Sequence, residues 1–281
     1  MKACYADLHL HTTASDGTQT IDRLVTRAAA LGLSIIAVTD HDTISPELTR
    51  PTQFRNGIEV ITGAEFKVDF DGIRGELLGY FIDPRAAALV ELFSRMRRAR
   101  DARMEEMVAR CREVTGARIE IDEVRRLAAG SIGRPHLARI LVQKGIVTTT
   151  REAFDTLIGS DKPCYVPIRK PNFREVAAAV HGAGGLTSIP HPCLMDVPDW
   201  GDFLSQVKRE GVDGVEVFYP YQDVSRPLSI PSEEIRAMAE KYGFLLTGGS
   251  DDHGPDSVKE QLGKVKLPCR YVERMREFCR G

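Results

Sequence analysis

The chain has 281 residues, a formal net charge of −2, 42% hydrophobic and 28% charged residues. That is long enough for a full-size core and ordinary in composition, which excludes disordered and fibrous classes and gives no global charge argument for a nucleic-acid or membrane partner. Met1–Asp7 lacks the apolar run of a secretion signal and no window approaches about 18 apolar residues, so a cytoplasmic protein is expected, its six cysteines (Cys4, Cys111, Cys164, Cys193, Cys269, Cys279) as free thiols.

In chain order, Tyr5–Leu10 reads as a first strand, and residues 20–31 have helical periodicity with Gly32 as a stop. The β-branched run in Ser34–Val38 predicts a buried second strand, and Glu59–Thr62 and Glu76–Phe81 predict two more. From residue 85 to 165 the rhythm changes. Helical patterns follow one another there: an arginine-rich helix through Arg95, Arg97, Arg98, Arg100 and Arg103, then 122–129, 134–144 and 151–158. Interleaved Asp101, Glu105 and Glu106 make the arginine-rich helix a solvated face. Beyond it, a helix at 173–183, a strand at Leu186–Ile189, a strand at Val215–Phe218, a helix at 232–242 and a strand at Phe244–Thr247 restore the alternation. Alternating strands and helices predict an α/β fold with a parallel sheet closed into a barrel. The expected organisation is a barrel from 1–84 and 166–281 with a helical subdomain, 85–165, inserted into it.

Ligand-type side chains gather where the apolar runs end. His9 and His11 stand two apart on the first strand, so both imidazoles share one face. Asp16 follows in Ser15-Asp16-Gly17. The second strand ends in Asp40-His41-Asp42, the third in Gly63-Ala64-Glu65, and His191 follows the strand at 186–189. The last strand runs into Gly249-Ser250-Asp251-Asp252-His253. Taken singly each has an ordinary reading: a packed histidine, Asp16 as a turn residue, Glu65 as a surface charge. Together they hold five of the seven histidines at successive strand ends, the one face that a barrel shares. Imidazoles mixed with carboxylates suit Zn, Mn or Fe, and crowded carboxylates need a cation to neutralise them.

In order, His9-Leu10-His11, Ser15-Asp16-Gly17, Asp40-His41-Asp42, Glu65, Pro190-His191-Pro192 and Asp251-Asp252-His253 resemble the motifs of the PHP (polymerase and histidinol phosphatase) family, nearly end to end. The resemblance implies a distorted (β/α)7 TIM-like barrel with an inserted helical subdomain, holding two or three divalent metal ions. It implies a first metal on His9, His11, Glu65 and Asp251, a second on Glu65 and His191, and a third on Asp16, His41 and His253. Where many relatives carry a further histidine for the second metal, this chain has Glu76, a harder donor that favours Mn, Fe or Mg over Zn. Asp7 and Asp40 are expected just behind the ligands.

Arg134 and His136 lie at the start of the helix expected at 134–144, with Pro135 in its first turn, a place where anions bind. From the residues alone they are equally solvated surface groups; the resemblance implies that they grip substrate phosphate. The implied reaction is phosphate ester hydrolysis by a hydroxide that bridges metals, with Arg134 offsetting developing charge and Asp251 or His253 moving a proton. The implied substrate is a nucleotide such as a 3′,5′-bisphosphonucleotide, with a short RNA cut from its 5′ end or histidinol phosphate as alternatives. A metal-poor, degenerate binding module is the non-enzymatic alternative. His181 is expected to be a helix-end residue.

Overall fold

In the computed structural model, which describes residues 3–128 and 132–280, the apolar runs become strands of one mixed sheet. Strand β1 is Tyr5–Leu10, β2 Ile35–Val38, β3 Thr52–Arg55, β4 Ile58–Phe70, β5 Ile73–Tyr80, β6 Leu186–Ile189, β7 Gly214–Phe218, β8 Leu245–Gly248 and β9 Leu267–Pro268. Their order is β8-β7-β6-β5-β4-β2-β1-β9, with β3 paired to β4 off this path. The two ends of the path approach each other. A parallel bridge joins Leu10 to Asp252, and the His11 amide donates to the Asp252 carbonyl at 2.9 Å. Gly249 permits this approach, since a Cβ there would stand 2.3 Å from the His9 Cβ. The result is a nearly closed barrel, as expected.

Two runs of the sheet are parallel, β1-β2-β4 and β6-β7-β8. Between them β5 is antiparallel to both β4 and β6, so the sheet is not the all-parallel one that alternation suggests. The reason is local. Phe70-Asp71-Gly72-Ile73 closes a two-residue hairpin in which Asp71 (φ 53°) and Gly72 (φ 98°) both have positive φ, as a type I′ turn requires. Strand β4 is long, 13 residues, because its first half pairs with β2 and β3 and its second half with β5.

Packing divides the chain into two units: Met1–Phe93 with Pro171–Gly281, and Ser94–Lys170. The first holds the whole sheet with helices α1 (Ile21–Ala30), α6 (Phe173–Gly182), α7 (Trp200–Arg209), α8 (Ser232–Lys241) and α9 (Arg270–Arg280). Helix α1 shows how they attach: Ile21, Leu24, Val25 and Ala28, at helical spacing, bury one stripe with Leu10, Ile36, Val38 and Val60. Sequence periodicity found α6 and α8 but not α7, whose Trp200, Phe203, Leu204 and Val207 follow an Asp199 cap.

The second unit is helical: the later part of α2 (Ala87–Thr115), then α3 (Ile121–Leu127), α4 (Arg134–Gln143), α5 (Thr150–Ala153) and a π turn at Phe154–Ile158. Met104, Met107, Val108, Leu137 and Leu141 lie in its own apolar core. Ala129, the expected end of a helix, and Ser131, just before the segment expected to hold phosphate, lie outside the described residues.

The expectation that all six cysteines are free is corrected. Cys4 and Cys269 form a disulfide. The antiparallel register of β1 with β9, Tyr5 opposite Pro268, sets the two residues across from each other with Cα atoms 5.5 Å apart. Cys111, Cys164 and Cys193 are buried thiols and Cys279 an exposed one. Among the described residues no helix is long and apolar enough to cross a membrane.

Candidate metal centre

Strand direction assembles the site. With β1, β2 and β4 parallel, His9 and His11 at the end of β1 and His41 just past β2 reach Glu65 in β4, and a bridge pairs His41 with Glu65 directly. His191 follows β6, and Asp251 and His253 follow β8. Two of these positions have left-handed backbone, His191 (φ 30°) and Asp251 (φ 58°), a costly conformation outside glycine that turns both side chains out of the strand line. The structure brings all nine sequence-predicted ligand candidates into one cluster. Ligand atoms lie within 4.8 Å of one another in four groups: His11, Asp16, His41 and His253; His9, His11 and Asp251; His9, Glu65 and His191; and His41, Glu65 and Glu76.

Glu65 is the hub. One carboxylate oxygen lies 3.4 Å from His9 Nε2 and 3.2 Å from His191 Nε2; the other lies 3.5 Å from His11 Nε2 and 2.9 Å from His41 Nδ1. Asp251 Oδ1 is 3.2 Å from His11 Nε2 and 3.7 Å from His9 Nε2. Asp16, the most exposed member, sets its carboxylate 3.4 Å from His253 and 3.7 Å from His41. Glu76 faces His191 at 3.5 Å and His41 at 3.9 Å, so the carboxylate stands where the second metal is expected.

These approaches are mostly not hydrogen bonds. His9 Nε2, both ring nitrogens of His11, His41 Nδ1, Glu65 Oε2 and His191 Nδ1 are buried without a hydrogen-bond partner among the described residues. Each such atom costs about 1–3 kcal/mol, so six cost on the order of 10 kcal/mol, comparable with the whole net stability of a domain. A divalent cation among the nitrogens and carboxylates removes that cost, and this donor set of imidazole and carboxylate fits Zn, Mn or Fe. The electrostatics of the protein atoms carry the same sign. Burial works against charge on His9, but Glu216, Glu65 and Asp251 raise its pKa well above the usual histidine value. His41, also buried, is raised to about 9 by Glu65, whereas burial lowers His11 to about 4. Burial alone would raise the Glu65 carboxyl, yet His9 and His41 hold it well below the carboxylate range.

Asp7 and Asp40 support backbone and hydroxyl groups, not the ligand rings. Asp40 accepts from the amide and hydroxyl of Thr12 (both 2.7 Å) and from the Ser15 hydroxyl (2.6 Å), which shapes the turn that carries Asp16. Asp7 accepts from the amides of Ser250 (2.8 Å) and Gly263 (3.2 Å), tying β1 to the loop that carries Asp251. Burial lifts its carboxyl to about 7. Arg134 and His136 belong to the helical unit. The Arg134 guanidinium lies 5.4 Å from the Phe154 ring centre and 5.5 Å from that of Tyr165, and His136 Nδ1 accepts from the Gly133 amide at 3.0 Å, capping α4. His181, in the last turn of α6, bonds Asp213 at 2.7 Å.

Three residues of the site escaped sequence reasoning. Glu216 is wholly buried against His9; its signal was a lone carboxylate inside the apolar run Val215–Phe218. Tyr219 donates its hydroxyl to Asp251 Oδ2 at 3.0 Å, and Lys259 Nζ approaches the same oxygen at 2.5 Å. Lys259 stands at no strand end and in no motif; Tyr219 directly follows β7, a strand end that carries no histidine or carboxylate of its own to draw notice.

A family model described as the PHP domain matches residues 7–160, more than half of the chain. The chain belongs to the PHP family. Its PHP relatives include a 5′-3′ exoribonuclease of Haemophilus influenzae, 32% identical over 92% of this chain and 93% of that protein. They also include a 3′,5′-nucleoside bisphosphate phosphatase of Chromobacterium violaceum, 30% identical over 95% of both chains. A solved structure from Bifidobacterium adolescentis, assigned to the metal-dependent phosphoesterases, superposes with a TM-score of 0.74 at 29% identity and covers all of this chain and 97% of its own. As a PHP phosphoesterase the chain is a hydrolase of phosphoric esters, with a His/Asp/Glu cluster suited to metal ions.

Proposed function

We propose that the chain removes phosphate from a phosphorylated nucleotide, with a 3′,5′-bisphosphonucleotide as the first candidate substrate. The observation that carries this reading is the cluster around Glu65, whose buried nitrogens lack hydrogen-bond partners, in a chain with a full-length bisphosphate phosphatase relative. Two or three divalent ions fit it: one on His9, His11, Glu65 and Asp251, one on Glu65, Glu76 and His191, and one on Asp16, His41 and His253. When bound, such ions supply hydroxide near neutral pH and polarise phosphoryl oxygens. The protein holds these ligands in register through the strand ends and shares Glu65 between neighbouring positions. Asp251, buried against His9 and His11, or the partly exposed His253 moves the proton to or from the leaving group. Arg134 and His136, in the inserted helical subdomain, hold substrate phosphate, a bidentate guanidinium being well matched to it. The cytoplasm remains the proposed compartment.

A second reading, 5′-3′ exonucleolytic cleavage of short RNA, is favoured by the 32% identical exoribonuclease. A phosphate-release panel separates them. Metal-analysed protein, reconstituted in turn with Mn, Zn and Fe, is given 3′,5′-bisphosphonucleotides, mononucleotides, 5′-phosphorylated short RNAs and histidinol phosphate. Fastest metal-dependent release from the bisphosphonucleotide is the expected result. Mononucleotides liberated from RNA with no turnover of the bisphosphonucleotide would replace it by the exonuclease reading. Metal-free protein inert on every ester would favour a degenerate binding module.

A further inference from the structure

We infer that Glu216 is a positioning residue of the metal centre, fixing His9 and His191 at once. This rests on the metal-centre reading above. Glu216 lies in β7, between Val215 and Val217, and is fully buried. Both of its carboxylate oxygens face His9 Nδ1, at 3.1 and 3.3 Å, and Oε2 also accepts from the His191 amide at 2.8 Å. An interior carboxylate is expensive, by several kcal/mol, and a purely structural role would be met as well by an amide or an apolar side chain of that size. An amide offers only one acceptor atom: with its oxygen beside the His191 amide, its NH2, a donor, takes the Oε1 place that lies 3.1 Å from His9 Nδ1.

The first contact sets a tautomer. A carboxylate only accepts, so His9 must carry a proton on Nδ1, and Nε2 is the nitrogen that can offer a lone pair to a metal. That Nε2 is the buried, unpartnered nitrogen that faces Glu65 and Asp251. The second contact holds the amide of His191, whose left-handed backbone (φ 30°) carries strain that must be held by its surroundings. Hydrogen-bonded carboxylates behind metal-bound imidazoles raise ligand basicity and fix ring orientation, and their loss costs about 10–100-fold in metal affinity. Here one carboxylate reaches ligands from two strands, β1 and β6, so its loss should weaken two metal positions together.

The test is Glu216→Gln, which keeps size and removes charge. If the amide oxygen keeps the His191 contact, the amide nitrogen must donate to His9 Nδ1, moving the ring proton to Nε2 where it blocks a metal. We expect metal affinity, measured by competition with a chelator and metal analysis, to fall about 10–100-fold. In 15N-histidine-labelled, Zn-loaded wild-type protein the His9 signal, identified by its loss in His9→Gln, should show an Nδ1 proton that exchanges slowly. Glu216→Asp should restore affinity in part, since a shortened carboxylate still only accepts. Unchanged metal affinity in folded Glu216→Gln would overturn the proposal while leaving the metal centre intact. So would a His9 protonated on Nε2 in the Zn-loaded wild-type protein, a measurement that needs no folded Glu216 variant. Wild-type protein that takes up no metal would instead overturn the metal-centre reading, and this proposal with it.

Discussion

The barrel unit and the helical unit handle charge in opposite ways. In the helical unit charges sit at the surface in protein partnerships: Arg110 with Glu106, Arg112 with Glu120, Arg125 with Glu105 and Asp122, and Lys144 with Glu123. Its interior is apolar, and even Cys111 and Cys164 are buried there as ordinary small hydrophobes. In the barrel unit the charges at the strand ends are buried, crowded and only partly matched by hydrogen bonds. Exposed pairs contribute about 0–1 kcal/mol and are dispensable, whereas a buried, unmatched cluster persists only if something beyond the chain completes it. The difference separates a scaffold from a site on physical grounds alone.

The largest effects should follow from removing ligands that the cluster cannot replace. His9→Ala and Asp251→Ala are each expected to lower turnover by about 1,000-fold or more while circular dichroism stays native; full activity in both folded variants would break the contrast between the two units. Glu76→Ala should cost less, about 10–100-fold, because Glu76 lies at the half-exposed edge of the cluster; a wild-type rate would remove it from the centre. Chelation should lower the melting temperature by several degrees and re-addition of Mn should restore it, since a ligand at about 100 times its Kd adds about 2.7 kcal/mol. A melting temperature indifferent to metal would mean that the cluster is already complete.

Protons give a finer measure. Among the cluster groups, neighbouring carboxylates outweigh burial and raise His9 and His191 above the ordinary histidine value, and His41 to about 9, so at neutral pH the His41 ring holds a proton that a metal must displace. Metal binding at pH 7.5 should therefore release at least one proton, visible as a calorimetric enthalpy that varies with buffer ionisation heat, and affinity should fall as pH drops. The smallest effect belongs to the His181–Asp213 pair, in which His181 is half-exposed and Asp213 buried. The hydrogen bond that His181 donates to Asp213 raises the His181 pKa, so its contribution is complete below the unfolded value near 6.5 and is lost as pH rises through the folded value. His181→Gln should cost roughly 0.5 kcal/mol at pH 5.5 and nearly nothing at pH 9 in urea denaturation.

Much of this was legible in the sequence because ligands follow strands. The end of each apolar run is a topological address: His11, His41, His191, Asp251 and His253 follow strands, whereas His9 lies within β1 and Glu65 in the middle of β4, which runs on past the strand end read at Thr62. What was illegible depended on contacts between distant segments. Glu216 meets His9 207 positions away, and Lys259 reaches Asp251 through a loop without a motif. The antiparallel β5 was readable in Asp71-Gly72, a strong hairpin signal overridden by the prior for alternation. The Cys4–Cys269 disulfide depended on a two-residue strand, β9, too short to leave a periodic trace.

The central claim, that the cluster around Glu65 is a multi-metal centre, is tested most directly by an anomalous-scattering crystal structure of Mn-loaded protein. The account predicts at least two Mn peaks, each about 2.0–2.3 Å from its ligand atoms, with Glu65 shared between them and His9 Nε2, not Nδ1, at a metal. Peaks confined to the surface, or one ion bound without Glu65, would contradict it.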